Sequence, residues 1–451
     1  MALSSLFLLL SLVPSSDEAQ ARREVVESFA PYLAEPSEPR AATVRLERIS
    51  TAVPWPRGLV FVGDELVALA RGRHRNAGGI DPSVPDRCGE LLAVDPDCFE
   101  PVVPGEQAGL AVRRNARELA VPDPAVFRLY DPEEGPPIEA STIDRPYCTL
   151  AYDPSARNLF LCGYSGVDLP GRRFRKNATD SILRYDLRDG AWHVVEQHDP
   201  SGVPVNELGY VVPNQYYPHH DPAKNPPPHG WLNGPDGAEV VGNILYAVAK
   251  DNHAVVAYDL DAIRREPDAP APPSRRVMGR EVDVRLDGRL RRIEALGACA
   301  LAARDGYLYV GYRTSSFVLR FPIEADGMLV EPIEGELIAA FTPWKAAAGH
   351  SANLIDLAFD PEGELFASTA ERGRIWNIGV PDPARPFDGI DEGDHPTANR
   401  PYVDLPILTE NPRARTGNMV FDPAGNLYFC SGNYENGTRL AGVVYRAVRV
   451  D

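Results

Sequence analysis

Residues 355–380, IDLAFDPEGELFASTAERGRIWNIGV, alternate apolar and polar positions in three short runs, divided by an Asp-Pro-x-Gly turn and by a charged turn around Gly373. This is the pattern of three hairpin-linked strands. It recurs at PWPRGLVFVGDELVALARG, YCTLAYDPSARNLFLCGYSG, DGAEVVGNILYAVAKDNHAVVAYDL, CALAARDGYLYVGYRTSSFVLRFPI and NMVFDPAGNLYFCSG. One such unit cannot bury its own apolar faces, so the repeated units must pack on one another.

The repeats align on Leu66, Leu159, Leu245, Leu308, Leu365 and Leu427, each in a second strand. Further period-2 segments follow: GELLAVDP and FEPVV after the first repeat, SILRYDL and AWHVVEQ after the second, RRVMGREV, GELIAAF and RPYVDL after the next three. The last repeat ends the chain on AGVVYRAVRV, a third strand without a fourth, while TVRLERIS at 43–50 is a strand without a repeat. Pairing these two closes a ring and leaves no sheet edge exposed. The expected fold is all-β: a six-bladed β-propeller of four-stranded antiparallel blades, closed by an N-terminal strand, with residues 43–451 as a single domain. A seventh unit within 105–140 is not expected, because GLAVRRNARELAV lacks the turn-and-strand pattern.

Residues 1–16, MALSSLFLLLSLVPSS, are a short apolar run ending in small residues, the pattern of a secretory signal peptide; this predicts export to the periplasm or the extracellular space. Residues 17–42 read as a linker or short helix, and no other segment approaches the roughly 18 apolar residues of a membrane span. With 64 acidic against 46 basic residues the net charge is −18, which argues against nucleic acid or an anionic membrane surface as partner. Any basic site must therefore be local. Of the basic residues only Lys176, Lys224, Lys250 and Lys345 are lysines. The six cysteines show no C-x-x-C spacing, which excludes zinc-ribbon and haem-attachment motifs; Cys162 and Cys430 fall at equivalent second-strand positions, where a small buried thiol packs well.

In up-and-down blades the 2–3 turns and the links between blades share one end of the ring. Every long insertion here is of those two kinds (71–88, 105–145, 164–180, 199–234, 382–415), so one face, the top, carries the elaborated loops on which binding usually lives. His74, His219, His220, His229, His253, His350 and His395 map to it. A top-face histidine such as His220, His229 or His350 is a candidate general base, and imidazole with carboxylate suits zinc. Positive charge gathers on the same rim: Arg71, Arg73, Arg75, Arg172, Arg173, Arg175, Lys176, Arg313, Arg372 and Arg374. Guanidinium groups at a concave mouth attract an anionic ligand such as a uronate, a sulfated sugar or a phosphate ester. The inner strands supply a further ring at a fixed offset from the anchor leucines, made of Arg57, Thr149, Asp236, Cys299, Asp356 and Asn418. Within it Asp236, Asp356 and Asn418 offer oxygen ligands for a divalent cation such as calcium.

DNHAVVAYDL, FDPEGELFAST and FDPAGNLYFCSG resemble NHL-repeat propellers, and the whole arrangement is similar to the senescence-marker protein (SMP-30) and gluconolactonase family. The resemblance spans roughly residues 43–451. It implies a divalent cation held at the starts of inner strands and a lactonase-like hydrolase; the corresponding stretches here, SANLIDLAFD and RTGNMVFD, set Asp356 and Asn418 one residue out of step with the family's spacing. It also implies that His253 is a turn residue. The sequence carries no G-x-S-x-G, P-loop or H-E-x-x-H. The expected function is binding of a small anionic or carbohydrate-like ligand at a top-face funnel by Arg57, Arg73, Arg172, Arg173 and Arg372, as a metal-dependent hydrolase or lyase. The alternatives are a non-enzymatic module that holds a protein or cell-surface partner and, third, a quinoprotein dehydrogenase.

Overall fold

All six anchor leucines are fully buried in the second strands where the repeat alignment puts them. The computed structural model describes residues 43–70, 89–122, 143–144, 147–163, 166–167, 175–176, 181–197, 232, 234–250, 253–265, 275–341, 354–369, 373–389, 401–411, 414–431 and 442–450. The expected signal peptide at 1–16 and the segment 17–42 lie outside them. Among the described residues no helix is long and apolar enough to cross a membrane.

The chain is an all-β propeller of small antiparallel sheets. The first sheet runs Pro56–Val62, Glu65–Ala70, Leu91–Val94, Arg117–Ala120, and the second Tyr147–Asp153, Asn158–Gly163, Ser181–Asp186, Trp192–Gln197. The third runs Pro235–Val241, Ile244–Ala249, Ala254–Asp259, Arg275–Met278, and the fifth Leu354–Phe359, Leu365–Thr369, Arg374–Gly379, Val403–Asp404. Between them the fourth holds Ala298–Arg304, Tyr307–Tyr312, Phe317–Pro322 and Glu334–Ala340. The last sheet runs Met419–Phe421, Leu427–Ser431, Val443–Val450, then Thr43–Ser50. Each first strand packs on the first strand of the next sheet, and Met419–Phe421 packs on both Leu354–Phe359 and Pro56–Val62. Apolar side chains fill the seams between sheets, as where Tyr309, Val318 and Ala300 of the fourth meet Leu357, Leu365 and Trp376 of the fifth.

Turn chemistry explains the hairpins. Asp305 and Gly306 both take positive φ, as a two-residue Asp-Gly hairpin turn requires. In DPEGE the Asp360 Oδ1 accepts the Glu364 N–H at 2.8 Å, and in DPAGN the Asp422 Oδ1 accepts the Asn426 N–H at 2.8 Å. Each aspartate thereby satisfies a backbone donor that the turn would otherwise leave open.

In the last sheet Thr43–Ser50 pairs antiparallel with Val443–Val450 from Thr43↔Val450 to Ser50↔Val444. Glu47, 0% exposed, accepts from Arg446 Nε at 2.6 Å and from Arg45 Nε at 3.0 Å. Arg446 also donates to the Tyr428 hydroxyl at 3.1 Å and lies 4.3 Å over the Phe99 ring. The carboxylate is thus a buried charge with cations at both oxygens.

Two expected strand assignments are corrected. FEPVV is not the outer strand of the first sheet: Glu100–Pro101 pairs with Glu47 and Arg48, and the outer strand is Arg117–Ala120, reached through the short helix Leu110–Arg113. RRVMGREV is not one strand: Arg275–Met278 closes the third sheet, while Glu281–Leu286 and Arg289–Glu294 form a hairpin that adds in parallel to Glu334–Ala340 of the fourth. Val282, Val284 and Leu286 alternate inward on this hairpin, and that apolar stripe draws it onto the neighbouring sheet.

Candidate functional site

The inner strands carry a device at the end where each begins. Their pairing with the second strands slips by one residue between Pro56 and Gly58, Tyr147 and Thr149, Pro235 and Ala238, Ala298 and Ala300, and Leu354 and Asp356. Each slip is a β-bulge, which kinks a strand and re-aims a side chain. The extra residues, Arg57, Cys148, Asp236 with Gly237, Cys299 and Ile355, all sit at the top. Because of the bulges, a uniform count from the anchors does not put equivalent side chains on one face, so the ring read from the sequence holds only in part. Cys299 departs from it: its thiol donates to the Leu354 and Gly311 carbonyls at 3.1 and 3.4 Å, inside the seam between the fourth and fifth sheets.

Gly237 shows how tight the kink is. A Cβ there would stand 2.5 Å from the Cys299 carbonyl oxygen, a backbone atom that cannot swing aside. Gly237→Ala is expected to destabilise the protein by about 1–3 kcal/mol, read as a lower urea midpoint.

Asp236 is the centre of what converges here. Its Oδ2 lies 3.2 Å from Lys250 Nζ and 3.4 Å from Arg313 Nη1, and its residue is 8% exposed. Lys250 and Arg313 each stand directly after a second strand, in the third and fourth sheets. Their N–H groups donate to the carbonyls of Gly234 and Gly297, just before the inner strands of their own sheets. The turn between them is fixed by His253, at φ 53°, whose Nδ1 accepts the Gly297 N–H at 3.0 Å. This is the turn role the resemblance implied for it.

Asp356 faces Asp236 closely enough to feel its charge. Its Oδ2 accepts the Met419 N–H at 2.8 Å, and the Asn418 side chain also donates to it. Desolvation, with Asp236 adding to it, pushes the Asp356 carboxyl up to about 7 against those hydrogen bonds. Glu239, three residues beyond Asp236 on the same inner strand, is half-buried; desolvation, then the Asp356 charge, push it up to about 8. Arg57 approaches from the first sheet, its Nη1 3.9 Å from where a Cβ on Gly417 would stand, and its charge reaches Cys430.

Acids whose affinity for protons rises on folding bind more protons folded than unfolded between about pH 4 and 8. The stability they contribute is fully present below their unfolded values and is lost as pH rises through the folded ones. Asp356→Asn and Glu239→Gln are therefore expected to raise the melting temperature at pH 9 by several degrees, with the gain shrinking at pH 5. Thermal unfolding across that range is the check.

Of the residues named from the sequence, the structure brings together Asp236, Asp356, Asn418, Arg57 and Arg313. His220, His229, His350, Arg73, Arg172, Arg173 and Arg372 lie outside the described residues. Arg374 is held away, its Nε 2.9 Å from Asp404 Oδ2 in the outer strand of its own sheet. Lys250 and Glu239 were not anticipated. For Lys250 a signal existed: a basic residue follows the anchor leucine by five positions in three repeats, at Arg71, Lys250 and Arg313.

The calcium or zinc ion expected at Asp236, Asp356 and Asn418 does not fit this arrangement. One carboxylate is engaged by two cations, and the other already accepts hydrogen bonds from the Met419 N–H and the Asn418 side chain. Among the described residues no group of three or more His, Cys, Asp or Glu side chains is arranged to hold a metal. At the opposite end of the first sheet an open groove of about 450 Å³ is lined by Asp64, Glu65, Asp95, Arg114, Asn115 and Arg117; the Asn115 amide there is spent on the Ile49 and Asp95 carbonyls.

No protein-family model and no curated protein matches the sequence. Among solved structures the chain is similar to regucalcin from Agrobacterium tumefaciens, described as a calcium-binding protein, at 9% identity and a TM-score of 0.44, covering 89% of this chain and 93% of that one. It is also similar to a gluconolactonase from Xanthomonas campestris (14% identity, TM-score 0.38, covering 92% and 96%). A third is the PQQ-bound aldose sugar dehydrogenase from Streptomyces coelicolor (14%, 0.42, covering 91% and 100%). At these values the likeness carries no argument about activity, and the propeller stands on the sheets themselves.

Proposed function

We propose that the sheets are six blades of one ring, the last completed by Thr43–Ser50, and that the bulged end of the channel binds a small anionic, carbohydrate-like ligand. The succession of inner strands and the pairing of residues 43–50 with the final strand support the first part. One observation carries the second: Lys250 and Arg313 share a single carboxylate oxygen of Asp236. Arg57 adds a third cation to this end of the propeller. Desolvation pushes the Asp356 and Glu239 carboxyls up to about 7 and about 8, which lowers the negative charge they carry near pH 7. An anion entering here would meet ammonium and guanidinium donors already held in place.

As a hydrolase or lyase, the protein would use Asp356, whose carboxyl desolvation pushes up to about 7, to hold a proton near neutral pH. The general base assigned to His220, His229 or His350, and export through residues 1–16, belong to the same proposal and rest on the sequence. Calorimetric titration of the full chain at low ionic strength with D-glucuronate and with D-glucose tests it. Glucuronate is expected to bind, more weakly as salt rises, and glucose to give no saturable heat. Equal binding of the two sugars, or of neither, overturns the reading.

A further inference from the structure

Asp236, Asp356 and Asn418 are oxygen donors of the type that hard divalent cations take. The structure puts organic cations at that place instead. Lys250 and Arg313 come from adjacent sheets, yet both end on the same oxygen, Asp236 Oδ2. Neither arrives by chance of a mobile side chain: each backbone is pinned to the start of an inner strand, at 3.2 Å for Lys250 and 2.8 Å for Arg313. The Lys250 side chain is 14% exposed, so its ammonium is held inside the mouth rather than extended into solvent. His253 ties the turn beyond Lys250 to Gly297, in the loop that Arg313 is bonded to. A divalent ion approaching Asp236 would meet two fixed positive charges at contact range.

We propose that Lys250 and Arg313 are a built-in cation pair occupying the position a divalent ion would take at Asp236, so that this mouth works without a metal. The pair supplies the positive field that an ion would otherwise bring, and it does so permanently, with no dependence on metal supply. The inference goes beyond the anion reading and does not rest on it.

The test is calorimetric titration of the full chain with calcium chloride at pH 7, for the natural protein, for Asp236→Asn and for Lys250→Met/Arg313→Met. The natural protein is expected to show no calcium binding that Asp236→Asn removes. The double variant, its fold checked by a cooperative melting transition, is expected to bind calcium at least tenfold more tightly than the natural protein. Should the double variant not fold, Lys250→Met alone is compared in the same way, with at least a threefold gain expected. A calcium site in the natural protein that Asp236→Asn abolishes overturns the inference. So does a folded cation-deleted variant that binds calcium no better than the natural protein. Failure of glucuronate to bind leaves this comparison standing, and calcium binding by the natural protein leaves the glucuronate result untouched.

Discussion

Glu47→Ala is expected to lower the unfolding free energy by about 3–5 kcal/mol, the range for removing one partner of a buried ion pair. The carboxylate is fully buried and answers Arg446, which is 11% exposed, and Arg45. Without it the Arg446 guanidinium stays buried on the final strand with the Tyr428 hydroxyl, the Pro96 carbonyl and the Phe99 ring but no anion from this network. The pairing of Thr43–Ser50 with Val443–Val450 loses the charge match between Glu47 and Arg446. Urea unfolding measures the loss, and Glu47→Leu combined with Arg446→Leu should recover much of it, because a desolvated pair replaced by apolar groups costs little. A change below about 1 kcal/mol for Glu47→Ala would show that the network is solvated and that the two strands are held by their backbone pairing alone.

Lys250→Gln and Arg313→Gln should each weaken D-glucuronate binding by about 10- to 100-fold, because a hydrogen bond to a charged group contributes about 1.5–3 kcal/mol. Each should also flatten the salt dependence of binding, since fewer fixed charges then attract the anion. Arg374→Gln serves as the control. Its guanidinium is committed to Asp404 on the side of the sheet, so less than a twofold change is expected there.

The repeat was plain in the sequence because a buried second-strand leucine and a turn such as DPEG or DG are local devices that look alike wherever they occur. Leu66 through Leu427 and the hairpins they anchor follow from that. The hairpin EVDVRLDGRLRRIE carries its own signal too, with Val282, Val284 and Leu286 alternating into an Asp-Gly turn, but the expected strand RRVMGREV takes in only its first two residues, Glu281 and Val282. Which sheet it joins depends on a non-local parallel pairing with Glu334–Ala340 that no local pattern announces.

The mouth was legible by residue type and not by contact. A count along the inner strands picks out Asp236, Asp356, Asn418 and Arg57, while the bulges decide which of them face one another. The glycines in Arg57-Gly58 and Asp236-Gly237 were the available hint: a Cβ at Gly58 would stand 2.7 Å from Leu150 Cβ, so that position, like Gly237, has no room for a side chain. The partnership of Asp236 with two cations from different repeats could not be counted at all. It gives an expected metal ligand two cationic partners instead.

The most direct measurement is a crystal of the full chain soaked in selenate, with anomalous scattering used to place the anion. The account predicts a selenium peak in the channel mouth within hydrogen-bond distance of Lys250 Nζ, Arg313 or Arg57, with the Asp236 pairs intact. Selenate found only elsewhere on the surface, or an anomalous metal peak on Asp236 with Lys250 and Arg313 turned away, would contradict it.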